Sequence, residues 1–159
     1  MGAPRIDQIN VVVGDAAAAA RFVTGLGVDV PEALAPWNAW NAHHRTVPAA
    51  SISTDGGDDL IESTFGIDLD SSAFAQYWGG LPRSFTGVVL NIRVDERAEV
   101  DRLHVVAMSI GGRSLKAPYD AFWGSRYAVV EGPGPVMVGL MSVRDDAQRS
   151  EGPDAATLI

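Results

Sequence analysis

Two distant stretches of the chain, Gln8-Ile9-Asn10-Val11-Val12-Val13 and Val89-Leu90-Asn91-Ile92-Arg93-Val94, carry one pattern, and this internal repeat narrows the possible folds more than any other feature. With Val13-Gly14-Asp15 laid on Val94-Asp95-Glu96, Asn10 falls on Asn91 and Gln8 on Val89. Each stretch has the period of two that defines a strand with distinct faces. Each is followed by a run of helix formers that stops at paired glycines: Ala16 to Phe22 before Gly25 and Gly27, with Asp15 as cap, and Glu96 to about Ser109 before Gly111-Gly112. The repeat returns at the end of each half, where Ile67-Asp68-Leu69-Asp70-Ser71 lies on Val138-Gly139-Leu140-Met141-Ser142.

Between these marks the sequence predicts further strands over His43 to Ser53 and Leu60 to Leu69, with a turn at Gly56-Gly57. A short helix from Ser72 to Trp78 is capped by Ser71, and a linker follows at Gly79-Gly80 and Pro82. A small sheet with one uncovered face must bury it. Two such units do so by joining edges around a shared concavity, with helices outside. Ile9, Val11, Val13, Leu90, Ile92 and Val94 then face the helices, and Gln8, Asn10, Val89, Asn91 and Arg93 line the cup.

Bulk properties restrict the function. A chain of 159 residues, 47% hydrophobic and 20% charged, has the composition of an ordinary globular protein. A net charge of -8 repels phosphate backbones and anionic bilayers, so neither nucleic acid nor membrane is an expected partner and a small molecule is the default. The absence of cysteine removes thiolate metal sites and thiol nucleophiles and suits a reducing compartment. The first residues lack the apolar core of a signal peptide and no apolar run reaches the ~18 residues of a membrane span, so the expected location is the cytoplasm.

Four segments are similar to the vicinal-oxygen-chelate superfamily of glyoxalases, extradiol dioxygenases and bleomycin-resistance proteins. They are Ile9 to Val13 with Asp15, Ile67 to Ser71, the stretch Pro118-Tyr119-Asp120-Ala121-Phe122-Trp123-Gly124-Ser125-Arg126-Tyr127-Ala128, and Val138 to Ser142. The third resembles the family's Pro-x-Asp-x-x-Trp-Gly-x-Arg element before a last hairpin. The Asp-Pro-Asp-Gly-Asn turn usual in that hairpin is replaced by Glu131-Gly132-Pro133-Gly134-Pro135.

The resemblance implies an α+β fold of paired βαβββ modules forming a cupped, partly closed mixed sheet. One domain would cover 1–145, with modules at about 5–78 and 86–144, and 146–159 would be a polar, flexible tail. It also implies a homodimer and a divalent cation held by four side chains, whose slots fall here on Gln8, Asp68, Val89 and Gly139. Gln8 and Asp68 offer oxygen ligands for a hard cation, while Val89 and Gly139 offer none. Half a metal site remains.

That loss favours a binder of aromatic or drug-like molecules over a metal-dependent lyase, isomerase or dioxygenase, which stands as the alternative. No catalytic residue is assigned. The expected ligand-binding set is Gln8, Asn10, Trp37, Trp40, Asn91, Arg93, Tyr119 and Trp123, since aromatic faces supply flat apolar walls and the amides supply orientation. Arg93, a charge on the cup side, is expected either to pair with Asp68 or to meet an anionic ligand. Arg126 is expected to pair with an aspartate of the chain. Of the adjacent His43 and His44, only one side chain can enter the cup, and a packing role is favoured over that of a base. His104 is read as structural. The acidic group Asp55, Asp58, Asp59 and Glu62 is read as a solvated hairpin end.

Overall fold

The computed structural model describes residues 2–35, 37–48 and 65–159. Seven strands lie among the described residues: β1 (Arg5–Val13), β2 (His44–Val47), β3 (Gly66–Ser71), β4 (Gly87–Val94), β5 (Arg113–Asp120), β6 (Arg126–Glu131) and β7 (Met137–Ser142). They form one mixed, unclosed sheet in the order β2-β3-β1-β4-β7-β6-β5. Three helices accompany it: α1 (Ala16–Gly25), α2 (Ser72–Gly79) and α3 (Arg97–Ser109). Among the described residues no helix is long and apolar enough to cross a membrane.

The repeat seen in the sequence is the symmetry of the sheet. β1 and β4 meet antiparallel at the centre, and each has a parallel outer neighbour, β3 and β7. In the first pair Asn10 stands beside Asp68 and Val13 beside Ser71; in the second Asn91 stands beside Gly139 and Val94 beside Ser142. The equivalence of Asp68 with Gly139, and of Asp70 with Met141, is therefore a property of the hydrogen-bonded register.

The second module has the full βαβββ order. The first shows β1, α1, β2 and β3 among its described residues, with the remainder of the expected strands over 43–53 and 60–69, the Gly56-Gly57 turn and the acidic group of Asp55 to Glu62 outside the described residues.

The local signals act as expected. The Asp15 carboxylate accepts from the Ala18 N–H at 2.9 Å, and the Ser71 hydroxyl accepts from the Phe74 N–H at 3.1 Å, so each helix begins on a side chain that satisfies an orphan donor. α1 covers Val11 and Leu69 with Ala20 and Val23, joined by Val30 of the loop that follows. α3 covers Ile92, Val94, Val130 and Leu140 with Val100, Leu103 and Met108. α2, which links the modules, lies on the other face. There Phe74, Ala75 and Trp78 are buried with Val12, Val89, Tyr127, Val129 and Met141, so this helix fills one end of the cup.

Arg126 closes the outer half of the second module. Its guanidinium donates to Asp101 of α3 at 2.7 and 3.1 Å and to Asp120 of β5 at 3.0 Å, tying helix to sheet as an internal ion pair. The loop before β6 turns at Gly124, which has φ +95, and a Cβ there would stand 2.4 Å from the Asp145 carbonyl oxygen. The last hairpin likewise turns through Gly134 at φ +70, and the Gly132 N–H donates to the Val136 carbonyl at 2.8 Å. After β7 the chain folds back across the cup mouth. The Ser150 N–H donates to the Phe122 carbonyl at 3.1 Å, and Leu158 packs against the inner cluster.

Gly124→Ala is expected to combine left-handed strain with a backbone clash and to destabilise the protein by about 1–3 kcal/mol. Urea unfolding monitored by tryptophan fluorescence measures this as a lower midpoint at unchanged slope.

Candidate functional site

The cup encloses a cavity of about 390 Å³ bordered by residues of both modules, α2 and the returning tail. Its floor is polar and its walls are aromatic. The floor begins at Tyr127 on β6, whose hydroxyl donates to Asn91 Oδ1 at 2.8 Å. Asn91 donates through Nδ2 to Asn10 Oδ1 at 2.5 Å, and Asn10 donates through its own Nδ2 to Asp70 Oδ2 at 2.5 Å. Asp70 Oδ1 lies 2.6 Å from Nδ1 of His44 on β2. A branch runs from Gln8 Nε2 to Asn10 Oδ1 at 3.2 Å and to Asp68 Oδ2 at 2.8 Å, and Asp68 Oδ1 accepts from the Thr46 hydroxyl at 2.9 Å.

This line crosses the sheet from β6 to β2, and it passes over β7 at Gly139. A Cβ at that position would stand 2.0 Å from Asn91 Oδ1 and 2.5 Å from the Tyr127 hydroxyl. The missing side chain is thus the space in which Tyr127 reaches Asn91. Buried polar groups are tolerated when they satisfy one another, and here each named group has a partner within the floor.

Burial and neighbours set the charges. Burial opposes the charged form of His44, but the hydrogen bond and charge of Asp70, with the charge of Asp68, outweigh it and raise the imidazole above its ordinary 6.5. Burial raises Asp68 above the ordinary carboxylate value despite the opposing charge of His44 and the Thr46 bond. Burial holds the Tyr127 phenol well above its ordinary value, so it stays a donor.

The walls are contributed by separate elements. Trp40, from the tight helical turn Trp37–Trp40, stacks on Phe122 with centroids 5.7 Å apart and tilts against Phe74 of α2 at 5.1 Å. Trp123 stands edge-on to Phe122 at 5.1 Å and to Tyr127 at 5.3 Å. A Cβ at Gly152 of the tail would be 3.0 Å from Phe122 and 3.3 Å from Trp40, so the tail backs this wall directly. Arg144 and Arg149 also border the cavity.

Of the residues singled out from sequence, Gln8, Asn10, Trp37, Trp40, Asn91 and Trp123 border the cavity. Arg93 and Tyr119 do not. Arg93 is ion-paired with Asp7, not Asp68, because the irregularity between Ile6 and Gln8 brings Asp7 to it. Tyr119 sits behind the wall, donating to the Trp78 carbonyl at 2.9 Å with the Lys116 ammonium 4.5 Å from its ring centre. His43 turns away from the cup to Ser71 at 2.9 Å, and His104 meets Ser114 at 2.8 Å on the surface.

Four further site residues are His44, for which the sequence favoured a packing role, and Thr46, Asp70 and Arg144, which it did not single out. The spacing held a signal for three of them: Asp70 is two residues beyond Asp68 and Thr46 two beyond His44, so each pair shares a strand face.

The four metal slots do not fit a cation. Gln8 and Asp68 are bonded to each other, Val89 is enclosed in the apolar cluster, and Gly139 has neither a donor nor room for one. Among the described residues no group of three or more His, Asp or Glu side chains is placed to hold a metal ion.

No protein-family model matches the sequence, and no curated protein does. Solved structures do. An NAD-dependent benzaldehyde dehydrogenase from Legionella pneumophila is similar at a TM-score of 0.54 and 12% identity, over 86% of this chain and 98% of that one. A glyoxalase/bleomycin resistance protein/dioxygenase superfamily member from Vibrio splendidus is similar at 0.48 and 12%, over 88% and 98%. The Mn(II)-bound glyoxalase from Novosphingobium aromaticivorans is similar at 0.49 and 14%, over 94% of this chain and 44% of that one. The chain has the vicinal-oxygen-chelate fold. Identities this low speak of the fold alone. At Gly139, on the last strand of the second module, the space that a side chain would fill is taken by the Tyr127 to Asn91 hydrogen bond.

Two outcomes follow from this floor. Gly139→Ala is expected to cost about 2–4 kcal/mol, as overpacking is added to broken buried hydrogen bonds, and chemical denaturation measures it. His44 is expected to titrate above 6.5 by NMR, and Asp70→Asn to move that midpoint down. Because the folded state holds this proton more tightly than the unfolded chain, His44 stabilises the fold fully below pH 6.5. That contribution fades as pH rises through the folded midpoint, and Asp70→Asn flattens this part of the stability profile.

Proposed function

We propose that the protein binds a planar aromatic small molecule between its two modules. The observation that carries this reading is a cavity whose aromatic walls, Trp40, Phe122 and Trp123, stand over a floor, from Tyr127 to Asp70, whose polar side chains are hydrogen-bonded to one another. An internally satisfied floor needs no charged guest, and an apolar ring gains by leaving water for the walls. A volume of about 390 Å³ suits a ligand of two or three fused rings.

The residues assigned to contact are Gln8, Asn10, Trp37, Trp40, Asn91 and Trp123, joined by His44 and Phe122. The same reading takes residues 1–145 as one domain, the protein as cytoplasmic, and the active species as a homodimer, which light scattering on the purified protein tests. Metal-dependent chemistry through the four family slots is not part of it, since two of those slots lack donors.

The direct test is titration with naphthols, quinones, indoles and acridines, read by quenching of tryptophan fluorescence. At least one class is expected to bind. Trp40→Ala is expected to weaken its affinity about tenfold, because a stacked face is worth roughly 0.5–1.5 kcal/mol beyond the area it buries. Tyr119→Phe, behind the wall, is expected to leave affinity unchanged. Flat titrations across the whole panel would end this reading.

A further inference from the structure

We propose that His44, held by Asp70, is a general base in this cavity that removes a proton from the carbon between the ring and the carbonyl of a bound benzylic ketone, without a metal ion. This deepens the binding function proposed above and rests on it. The geometry has three parts.

The first is the fixed tautomer. Asp70 Oδ1 lies 2.6 Å from His44 Nδ1, so neutral His44 carries its proton on Nδ1 and its lone pair on Nε2. Asp70 is itself held, since its other oxygen accepts from Asn10 at 2.5 Å and its side chain is 1% exposed. A carboxylate with both oxygens engaged and no access to water orients the ring and steadies the imidazolium formed on proton uptake, and it is the positioning residue of the pair.

The second is position. His44 borders the cavity, 36% exposed, with its ring edge-on to Phe74 at 5.9 Å, and its Nε2 makes no hydrogen bond to the described residues. The other polar side chains of the floor are bonded to one another. His44 alone combines an unengaged nitrogen with a pH-adjustable charge.

The third is a counter-charge. Three arginines border the cavity. Arg45 is taken up by the carbonyls of Val30 and Pro31 and by Glu32, and Arg149 by Asp146 at 2.9 Å. Arg144 makes no ion pair or hydrogen bond among the described residues, and its field reaches both His44 and Asp68. It is the available cation for an oxygen that gains charge during reaction.

The step balances without a co-reactant. His44 Nε2 takes the proton, the C–H electron pair becomes the carbon–carbon double bond of the enolate, and the carbonyl pair moves onto oxygen, which faces Arg144. Return of a proton to the same carbon restores the ketone, so exchange with solvent is the observable outcome. The charged groups facing His44 are Asp68 and Asp70 on β3 and Arg144 after β7. Since the base must be neutral, the rate rises as pH climbs through the His44 midpoint.

The probe is 2-indanone in D2O, with loss of its α-proton signal followed by NMR at a series of pD values. Binding is followed in parallel by tryptophan fluorescence. The protein is expected to accelerate exchange over buffer, with an inflection that coincides with the His44 NMR midpoint. His44→Gln is expected to lower the protein-dependent rate about a hundredfold or more, the scale of a lost general base. Asp70→Asn is expected to move the inflection to lower pH, a shift that a purely structural role would not produce, and its melting curve checks that the fold survives. Exchange equal in wild type and His44→Gln, absent from wild type, or insensitive to pH across the His44 midpoint overturns the proposal. Quenching by 2-indanone without exchange removes the chemistry and leaves the binding reading standing, whereas a flat response to 2-indanone and to the wider aromatic panel removes both.

Discussion

The hydrogen-bonded line from Tyr127 through Asn91, Asn10 and Asp70 to His44 is the constraint on which the cup depends. Buried amides and carboxylates are destabilising unless each finds a partner, and these partners come from different strands. The line therefore exists only when β1 and β4 meet in the observed antiparallel register, with β3 and β7 each in parallel register outside them. A slip of one residue on any of these strands would turn its polar side chain into the layer under α1 or α3 and strand its partners. The floor specifies the sheet as much as the sheet positions the floor. Gly139 shows the coupling most directly, since one added carbon atom would occupy the space of two hydrogen-bonding oxygens.

Much of this arrangement was legible in the sequence because a strand alternates strictly and a helix announces its ends. The equivalence of Asn10 with Asn91, and of Asp68 with Gly139, followed from aligning two halves of one chain, and the hydrogen-bonded registers reproduce it. Less was legible where a side chain's direction depends on a partner strand or a local irregularity. His43 and His44 point opposite ways in any strand, and only the pairing of β2 with β3, which sets His44 opposite Asp70, decides which enters the cup. Arg93 has the parity of a cup residue, yet the irregularity between Ile6 and Gln8 supplies Asp7 as its counter-ion. Tyr119 reads as aromatic wall, but it lies behind Trp123 while Tyr127 is in the floor, a distinction that periodicity does not carry. The tail read simply as polar, because the contacts of Gly152 with Phe122 and Trp40 involve a residue with no side chain to reveal them.

Net charge also proved a poor guide to the cavity. A chain with formal charge -8 repels anions at a distance, but the cavity border brings Arg45, Arg144 and Arg149 near Asp68 and Asp70, and local balance governs what happens within a few ångströms. His44 records that balance. Burial alone would lower its proton affinity, and two neighbouring carboxylates outweigh burial and raise it. Its proton affinity is thus set by the same residues that hold the floor together, so a change in the floor is felt as a change in the titration of this ring.

The two modules have diverged in chemistry while keeping one geometry. At equivalent positions facing the cup the first module places Gln8, Asp68 and Asp70 where the second places Val89, Gly139 and Met141, whereas Asn10 and Asn91 match in type. His44 and Thr46 add to the polar side, while Trp123 and Tyr127 add aromatic surface to the other. A symmetric cup would hold a guest in either of two orientations related by the sheet's own repeat. In the proposed binding mode this one favours a single orientation, because a molecule with a polar end and an apolar ring gains by placing the polar end over β2, β3 and the start of β1 and the ring against Trp123 and Tyr127. The difference in side chains between the modules therefore makes the cup directional, and in the proposed reaction that direction brings a chosen atom of the guest to His44.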